Sequence, residues 1–193
     1  MKIAIVKYNA GNIQSVSYAL NRLGVEPIIT NDADTLYAAD KIIFPGVGEA
    51  SSAMAYLKKH NLHEVLQTIQ KPVLGICLGM QLMCSHSEEG NTDCLGIFDT
   101  KVKRFPAQDK IPHMGWNTLE TTQGTLLKNI NPGDYMYFVH SFYAEINKNT
   151  SCECNYILPF SAGIEKKNYF AFQFHPEKSG TVGAQILQNF ISL

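Results

Sequence analysis

No apolar run in this chain of 193 residues approaches the ~20 residues that a membrane-spanning helix requires. At the amino terminus the apolar stretch is only Ile3 to Val6, with Lys7 next, so it reads as a strand start and not as a signal peptide. An excess of one charge is also missing. Sixteen Lys+Arg stand against 17 Asp+Glu, for a net charge of -1. A broad basic surface, and with it non-specific nucleic-acid binding, is not expected. Charged residues are scarce at 17%, whereas the 45% hydrophobic content is ordinary for a globular protein and excludes disorder. Internal repeats, low-complexity tracts and linkers are lacking, so residues 1–193 are read as a single domain large enough to bury a core without disulfides or metals.

The five cysteines, Cys77, Cys84, Cys94, Cys152 and Cys154, contain no Cys-x-x-Cys pair. An odd count without a secretion signal points to reduced thiols in a cytoplasmic protein. Cys152 and Cys154 would share one face of a strand with no nearby histidine pair to complete a zinc site, and they read as buried small residues. His60 and His63 sit beside Lys58 and Lys59 and read as a solvated helix face. No metal and no cofactor are called for.

What is present is an alternation of strands and helices. Lys2–Val6 reads as a buried strand. Ile13, Val16, Leu20 and Leu23 recur at helical spacing before Gly24, a natural stop. Pro27–Thr30 and Lys41–Phe44 read as strands, Ala50 to about Gln70 as helical with a break near Asn61, and Val73–Ile76 as a strand that turns at once into a helix over Leu78–Ser85. This order predicts an α/β fold: an open, twisted, mainly parallel and doubly wound sheet with helices on both faces. The second half is strand-rich: Ile97–Lys103, Tyr135–Val139, Phe142–Ile146, Cys154–Leu158, Gly163–Lys166 and Tyr169–Phe174. It predicts an antiparallel extension of the sheet or a small second sheet beside it. A helix from about Gly180 closes the chain.

Three segments carry chemistry. Gly75-Ile76-Cys77-Leu78-Gly79 has the Gly-x-Cys-x-Gly layout of a nucleophile elbow at a strand-to-helix turn. The helix amino terminus favours thiolate, and the Leu78 N–H, which has no intrahelical partner, is free to face an oxyanion. A lone cysteine at such a junction reads as a buried small residue, and the two glycines make a nucleophile an equal reading. Phe172-Gln173-Phe174-His175-Pro176-Glu177 ends a strand. His175 and Glu177, two apart in extended chain, project to one side, and a carboxylate behind an imidazole is the usual activator of a nucleophile. Alone, that pair could equally be solvated at a strand end. Pro45-Gly46-Val47-Gly48, also at a strand end, is either an ordinary turn or a backbone that approaches a ligand closely.

Together, Gly-Ile-Cys-Leu-Gly-Met-Gln and Phe-His-Pro-Glu resemble the motifs of the class I (triad) glutamine amidotransferases, whose fold is flavodoxin-like. Those enzymes use Cys, His and Glu to release ammonia from the side chain of glutamine. Tyr8-Asn9-Ala10-Gly11-Asn12, His113-Met114-Gly115-Trp116-Asn117 and Phe138-Val139-His140-Ser141-Phe142 are similar to one branch of the family, the glutaminase subunits of imidazole glycerol phosphate synthases in histidine biosynthesis. The resemblance runs from residue 3 to about 190. It implies Cys77 as nucleophile, His175 as general base and acid, and Glu177 as its orienter. It implies Leu78 and either Val47 or Gly48 as oxyanion donors. Gln81, Ser141 and Phe142 fall in the glutamine-binding wall, with Phe142 where the family often has Tyr. Asn12, His113, Met114, Trp116, Asn117 and Lys178 fall where the family meets its partner or lines the ammonia route. The implied partner is a (β/α)8 cyclase subunit in a heterodimer, since no segment of this chain is left to use ammonia. A glutaminase serving another synthase, such as one that amidates surface sugars, and a non-catalytic regulatory paralogue remain as alternatives.

Overall fold

In the computed structural model, which describes residues 1–193, the first half runs β1 (Ile3–Val6), α1 (Ile13–Arg22), β2 (Ile28–Thr30), α2 (Ala33–Ala38), β3 (Lys41–Gly46), α3 (Ala50–Lys59), α4 (Leu62–Thr68), β4 (Val73–Cys77) and α5 (Leu78–Met83). The second half runs β5 (His86–Ser87), β6 (Thr92–Asp93), β7 (Lys101–Arg104), β8 (His113–Thr118), β9 (Thr121–Thr122), β10 (Tyr135–His140), β11 (Phe142–Ala144), β12 (Thr150–Tyr156), β13 (Leu158–Lys166), β14 (Tyr169–Phe172) and α6 (Gly180–Ile191). Strands β2-β1-β3-β4-β14 pair in parallel in that spatial order. This is the doubly wound arrangement, in which ligands sit beyond the carboxyl ends of the strands. β13, β11 and β7 continue the sheet antiparallel, and β8 and β10 form a separate two-stranded sheet. Both outcomes foreseen for the second half are therefore realised in one chain.

Period-two alternation divides the apolar strand residues between two cores. Ala4, Val6, Ile42 and Phe44 meet Leu36 of α2, Met54 and Leu57 of α3, Leu66 of α4 and Leu82 of α5 on one face. Ile3, Ile5, Ile43, Leu74 and Ile76 meet Val16 and Leu20 of α1 and Ile186, Leu187 and Phe190 of α6 on the other. Burial of each such side chain is worth ~1.5–3 kcal/mol, so packing rather than helix propensity holds these short helices.

Several boundaries differ from the sequence reading. Asn61 breaks the long helix as expected, in the left-handed conformation at φ 56°. The strand expected at Cys154–Leu158 spans a hairpin: Ile157, at φ 64°, turns the chain between β12 and β13. The strand expected from Ile97 starts only at Lys101, and the helix expected to reach Ser85 stops at Met83. The short helix α2 and strand β8 are additions to the sequence reading. No helix is long and apolar enough to cross a membrane.

Candidate active site

Cys77 closes β4 and opens α5 with φ 54° and ψ -108°, a backbone that non-glycine residues adopt only under strain. The turn is tight because α5 lies directly on β3. A Cβ on Gly79 would stand 1.8 Å from the Phe44 carbonyl oxygen, and one on Gly75 would stand 2.5 Å from Met83 Sδ. The two elbow glycines are thus required by close approach, as the motif implied. Leu78 is the first residue of α5, where an N–H has no intrahelical acceptor.

His175 and Glu177 come from the turn after β14. His175 is extended, and Pro176 opens a single 3-10 turn to Lys178. The His175 N–H donates to the Tyr137 carbonyl at 2.9 Å, and Ser179 Oγ donates to the His175 carbonyl at 2.7 Å. The His175 main chain is thereby held on both sides. His175 Nδ1 donates to Glu177 Oε1 at 2.7 Å, with both side chains fully buried. His175 Nε2 has no hydrogen-bond partner in the chain, so one ring nitrogen is oriented and the other is free for proton transfer. Burial alone would lower the His175 pKa. The adjacent Cys77 and the Glu177 carboxylate outweigh burial and raise it to about 10. A thiolate and an imidazolium side by side are the reactive form of such a pair.

A cavity of about 330 Å³ opens over Cys77, within the range of small-molecule sites. Leu78, Gln81, Val47, Gly48, Ser141 and Phe142 line it, all of them singled out in the sequence. Gln81 Nε2 donates to the Phe142 carbonyl at 3.0 Å and to Gln173 Oε1 at 2.9 Å, which ties α5 to the far wall. Two contacts hold the segment with Val47 and Gly48. Tyr8 Oη donates to the Pro45 carbonyl at 2.8 Å, and the Gly11 N–H donates to the Val47 carbonyl at 3.2 Å.

Two other residues at the site, Glu89 and Gln173, were missed in the sequence. Glu89 lines the cavity, with Oε2 held by the Ala50 N–H at 2.9 Å and its pKa raised by burial. Gln173 Nε2 lies 3.7 Å from Cys77 Sγ. Asn12, expected from the sequence at the partner interface or on the ammonia route, donates from Nδ2 to Glu177 Oε1 at 2.5 Å and so touches the His175–Glu177 pair. Of the two missed residues, Gln173 alone had a local signal, its place two residues before His175.

Met114 and Trp116 are 62% and 56% exposed on the outer face of β8, and Lys178 is exposed on the turn that carries Glu177. His113 is only 4% exposed, and Asn117 beside it is half-buried.

Residues 4–193 match the family described as glutamine amidotransferase class-I. The chain is 56% identical to the imidazole glycerol phosphate synthase subunit HisH of Bacteroides fragilis, with 100% of each chain covered. It is 57% identical to the protein of that name from Bacteroides thetaiotaomicron and 44% identical to that from Pectobacterium atrosepticum, again with 100% of each chain covered. Among solved structures, PurLQS from Thermotoga maritima matches with a TM-score of 0.74 at 19% identity, covering 99% of this chain and 97% of that one. A glutamine amidotransferase structure matches with a TM-score of 0.77 at 16% identity, covering 100% and 98%. At these identities the two structures show a shared fold.

Proposed function

The chain belongs to the class I glutamine amidotransferases and, within them, to the HisH subunits of imidazole glycerol phosphate synthase, and on that premise we propose that Cys77, His175 and Glu177 hydrolyse glutamine in the cavity over the elbow. The observation that carries the assignment is the buried 2.7 Å bond from His175 to Glu177, with the other ring nitrogen free beside Cys77. In this reading the Cys77 thiolate attacks the side-chain amide carbon of glutamine. The oxyanion that forms is held by the Leu78 N–H and by a second N–H from Val47 or Gly48, each donor worth ~3–4 kcal/mol. The His175 imidazolium protonates the departing nitrogen, the C–N bond breaks, and ammonia leaves. Neutral His175 then takes a proton from water, which attacks the glutamyl thioester and releases glutamate and the Cys77 thiolate. Glu177 keeps the ring in the Nδ1–H tautomer and stabilises its charged form. The Glu89 carboxylate, anchored at the amino terminus of α3, supplies the negative charge that the α-ammonium of glutamine requires.

Ammonia released into neutral water becomes ammonium and loses its nucleophilicity, so the acceptor has to lie close and shielded. We place it on a (β/α)8 cyclase subunit that converts a phosphoribulosyl-formimino substrate to imidazole glycerol phosphate and aminoimidazole carboxamide ribotide. Support comes from the outer face of the β8–β10 sheet. There Met114 opposes Val139 and Trp116 opposes Tyr137, and Val139 itself lines the cavity, so an apolar face runs up to the cavity wall. The five free cysteines fit a cytoplasmic setting. A glutaminase assay with and without the liganded cyclase tests the reading. Activity is expected to be slow alone, to rise with the partner, and to vanish in Cys77→Ser, which should still fold. A glutamine-mimicking electrophile should label Cys77. Normal turnover in Cys77→Ser, or no adduct on Cys77, would overturn the assignment.

A further inference from the structure

Two buried histidines outside the triad stand beside the cavity. His113 of β8 and His140 of β10 oppose each other across the two strands and are 4% and 6% exposed. His140 Nδ1 lies 2.7 Å from the Phe142 carbonyl oxygen, His140 Nε2 lies 2.9 Å from His113 Nδ1, and His113 Nε2 lies 3.2 Å from Asn117 Nδ2. These contacts fix every proton. A carbonyl only accepts, so His140 Nδ1 carries a hydrogen and its Nε2, in the neutral ring, accepts. His113 Nδ1 must then donate, its Nε2 accepts, and the Asn117 amide donates to it. A second proton on either ring would set two N–H groups, or two donors, face to face. Burial favours the same state, holding His140 down to about 3 and His113 down to about 4.

The chain of bonds ends on a functional atom. The Phe142 carbonyl accepts both from His140 and from Gln81 Nε2 of the elbow helix. Val139, His140, Ser141 and Phe142 together form one wall of the cavity. We propose that His113 and His140 are positioning residues for glutamine: the one-way chain Asn117→His113→His140→Phe142 carbonyl holds this wall in the geometry that accepts the substrate. The proposal rests on the glutaminase reading of the cavity. Its logic is tautomeric. Without the donor from His113, His140 Nε2 becomes a buried acceptor with no partner, and the Phe142 carbonyl alone is left to hold the proton on Nδ1. The other tautomer would turn a lone pair toward the Phe142 carbonyl and release the wall.

The packing of His113 allows a clean test. Its ring stacks between Phe138, at 4.9 Å and 26°, and Tyr156, at 4.1 Å and 13°. His113→Phe keeps the stack and removes the donor. His113→Asn loses the stack but keeps an N–H donor near the Nδ1 position. In the complex with the cyclase subunit, His113→Phe should raise the glutamine KM about tenfold with kcat within about twofold of wild type, the loss of one buried hydrogen bond expressed in binding. His113→Asn should bring KM back to within about threefold. An unchanged KM in His113→Phe, or a KM in His113→Asn raised as much as or more than in His113→Phe, overturns the proposal, because it would place the effect in the stack and not in the donor. Nitrogen-15 spectra of the wild-type histidines give a readout that does not depend on how the variants fold. Both rings should carry the Nδ1–H tautomer, and an Nε2–H tautomer on His140 would overturn the proposal. Failure of the wild-type complex to hydrolyse glutamine would instead overturn the glutaminase reading.

Discussion

Asn12 Nδ2 and His175 Nδ1 donate to the same oxygen, Glu177 Oε1, at 2.5 and 2.7 Å. One carboxylate oxygen thus joins the loop after β1 to the turn after β14. The neighbouring residue Gly11 holds the Val47 carbonyl, and Tyr8, at the start of the same loop, holds the Pro45 carbonyl. A single short loop therefore touches both the carboxylate behind His175 and the segment that would bind the oxyanion.

Removing the Asn12 amide should slow chemistry more than binding. A hydrogen bond to a charged group is worth ~1.5–3 kcal/mol, and water entering the gap would recover part of it. Asn12→Ala should lower kcat for glutamine about tenfold with little change in KM. Asn12→Asp places a second carboxylate against Glu177 and should be slower still at neutral pH, with partial recovery as pH falls and one of the two acids is protonated. Steady-state kinetics across pH checks both.

The charge state of His175 depends on Cys77. Its pKa of about 10 lies above the ordinary 6.5 because the thiolate and Glu177 outweigh burial. A histidine whose pKa is raised on folding adds stability that is fully present below pH 6.5 and is lost as pH rises through about 10. Cys77→Ser removes the thiolate, so the His175 pKa should fall and this alkaline loss of stability should shrink. Histidine NMR titration and urea unfolding between pH 6.5 and 10 measure the two effects. An unchanged His175 pKa in Cys77→Ser would count against the thiolate–imidazolium pair.

The local parts of this design are legible in the sequence. The Cys77 elbow announces itself through Gly75 and Gly79, and the His175–Glu177 pair lies within one turn. The alternation of Ile3, Ile5 and Ile43 with Ala4, Val6 and Ile42 foretells helices on both faces. Contacts between distant segments are a different matter. Asn12 and Glu177 are 165 residues apart, and no periodicity links them. Glu89 becomes a cavity residue only because α3 starts beside it. Helix α2 escapes notice because its six residues bury only Leu36, although Asp32 caps it through the Thr35 N–H. Strand β8 escapes because Gly115, at φ 132°, interrupts a run of polar and aromatic residues that does not alternate simply.

Gly79→Ala is the smallest change that should break the elbow. Its Cβ would fall 1.8 Å from a backbone oxygen of β3, which cannot rotate away as a side chain could. Overpacking of this kind costs ~1–3 kcal/mol or more. The variant should show a lower urea midpoint, and because α5 must move off β3 and carry the Leu78 N–H with it, glutaminase activity should fall at least tenfold in the molecules that remain folded. Denaturant titration combined with activity per folded molecule separates the two losses.

Trp116 should matter to the complex and not to the isolated subunit. It is 56% exposed, its only aromatic contact being an edge-on packing against Tyr137 at 5.9 Å, and it opposes Tyr137 on the outer face of the β8–β10 sheet. Its side chain supports no core, so Trp116→Ala should leave the melting temperature of the isolated chain within a degree or two. Exposed tryptophans at the centre of an interface are common hot spots, with truncation costing ~2 kcal/mol or more, which is ~30-fold in Kd. Titration of the variant with the cyclase subunit should show that weakening. The slow glutaminase activity of the variant alone should match wild type, and partner-stimulated activity should return at saturating cyclase. A wild-type Kd would move the docking face away from β8, and a loss of basal activity would place Trp116 in the glutamine site instead.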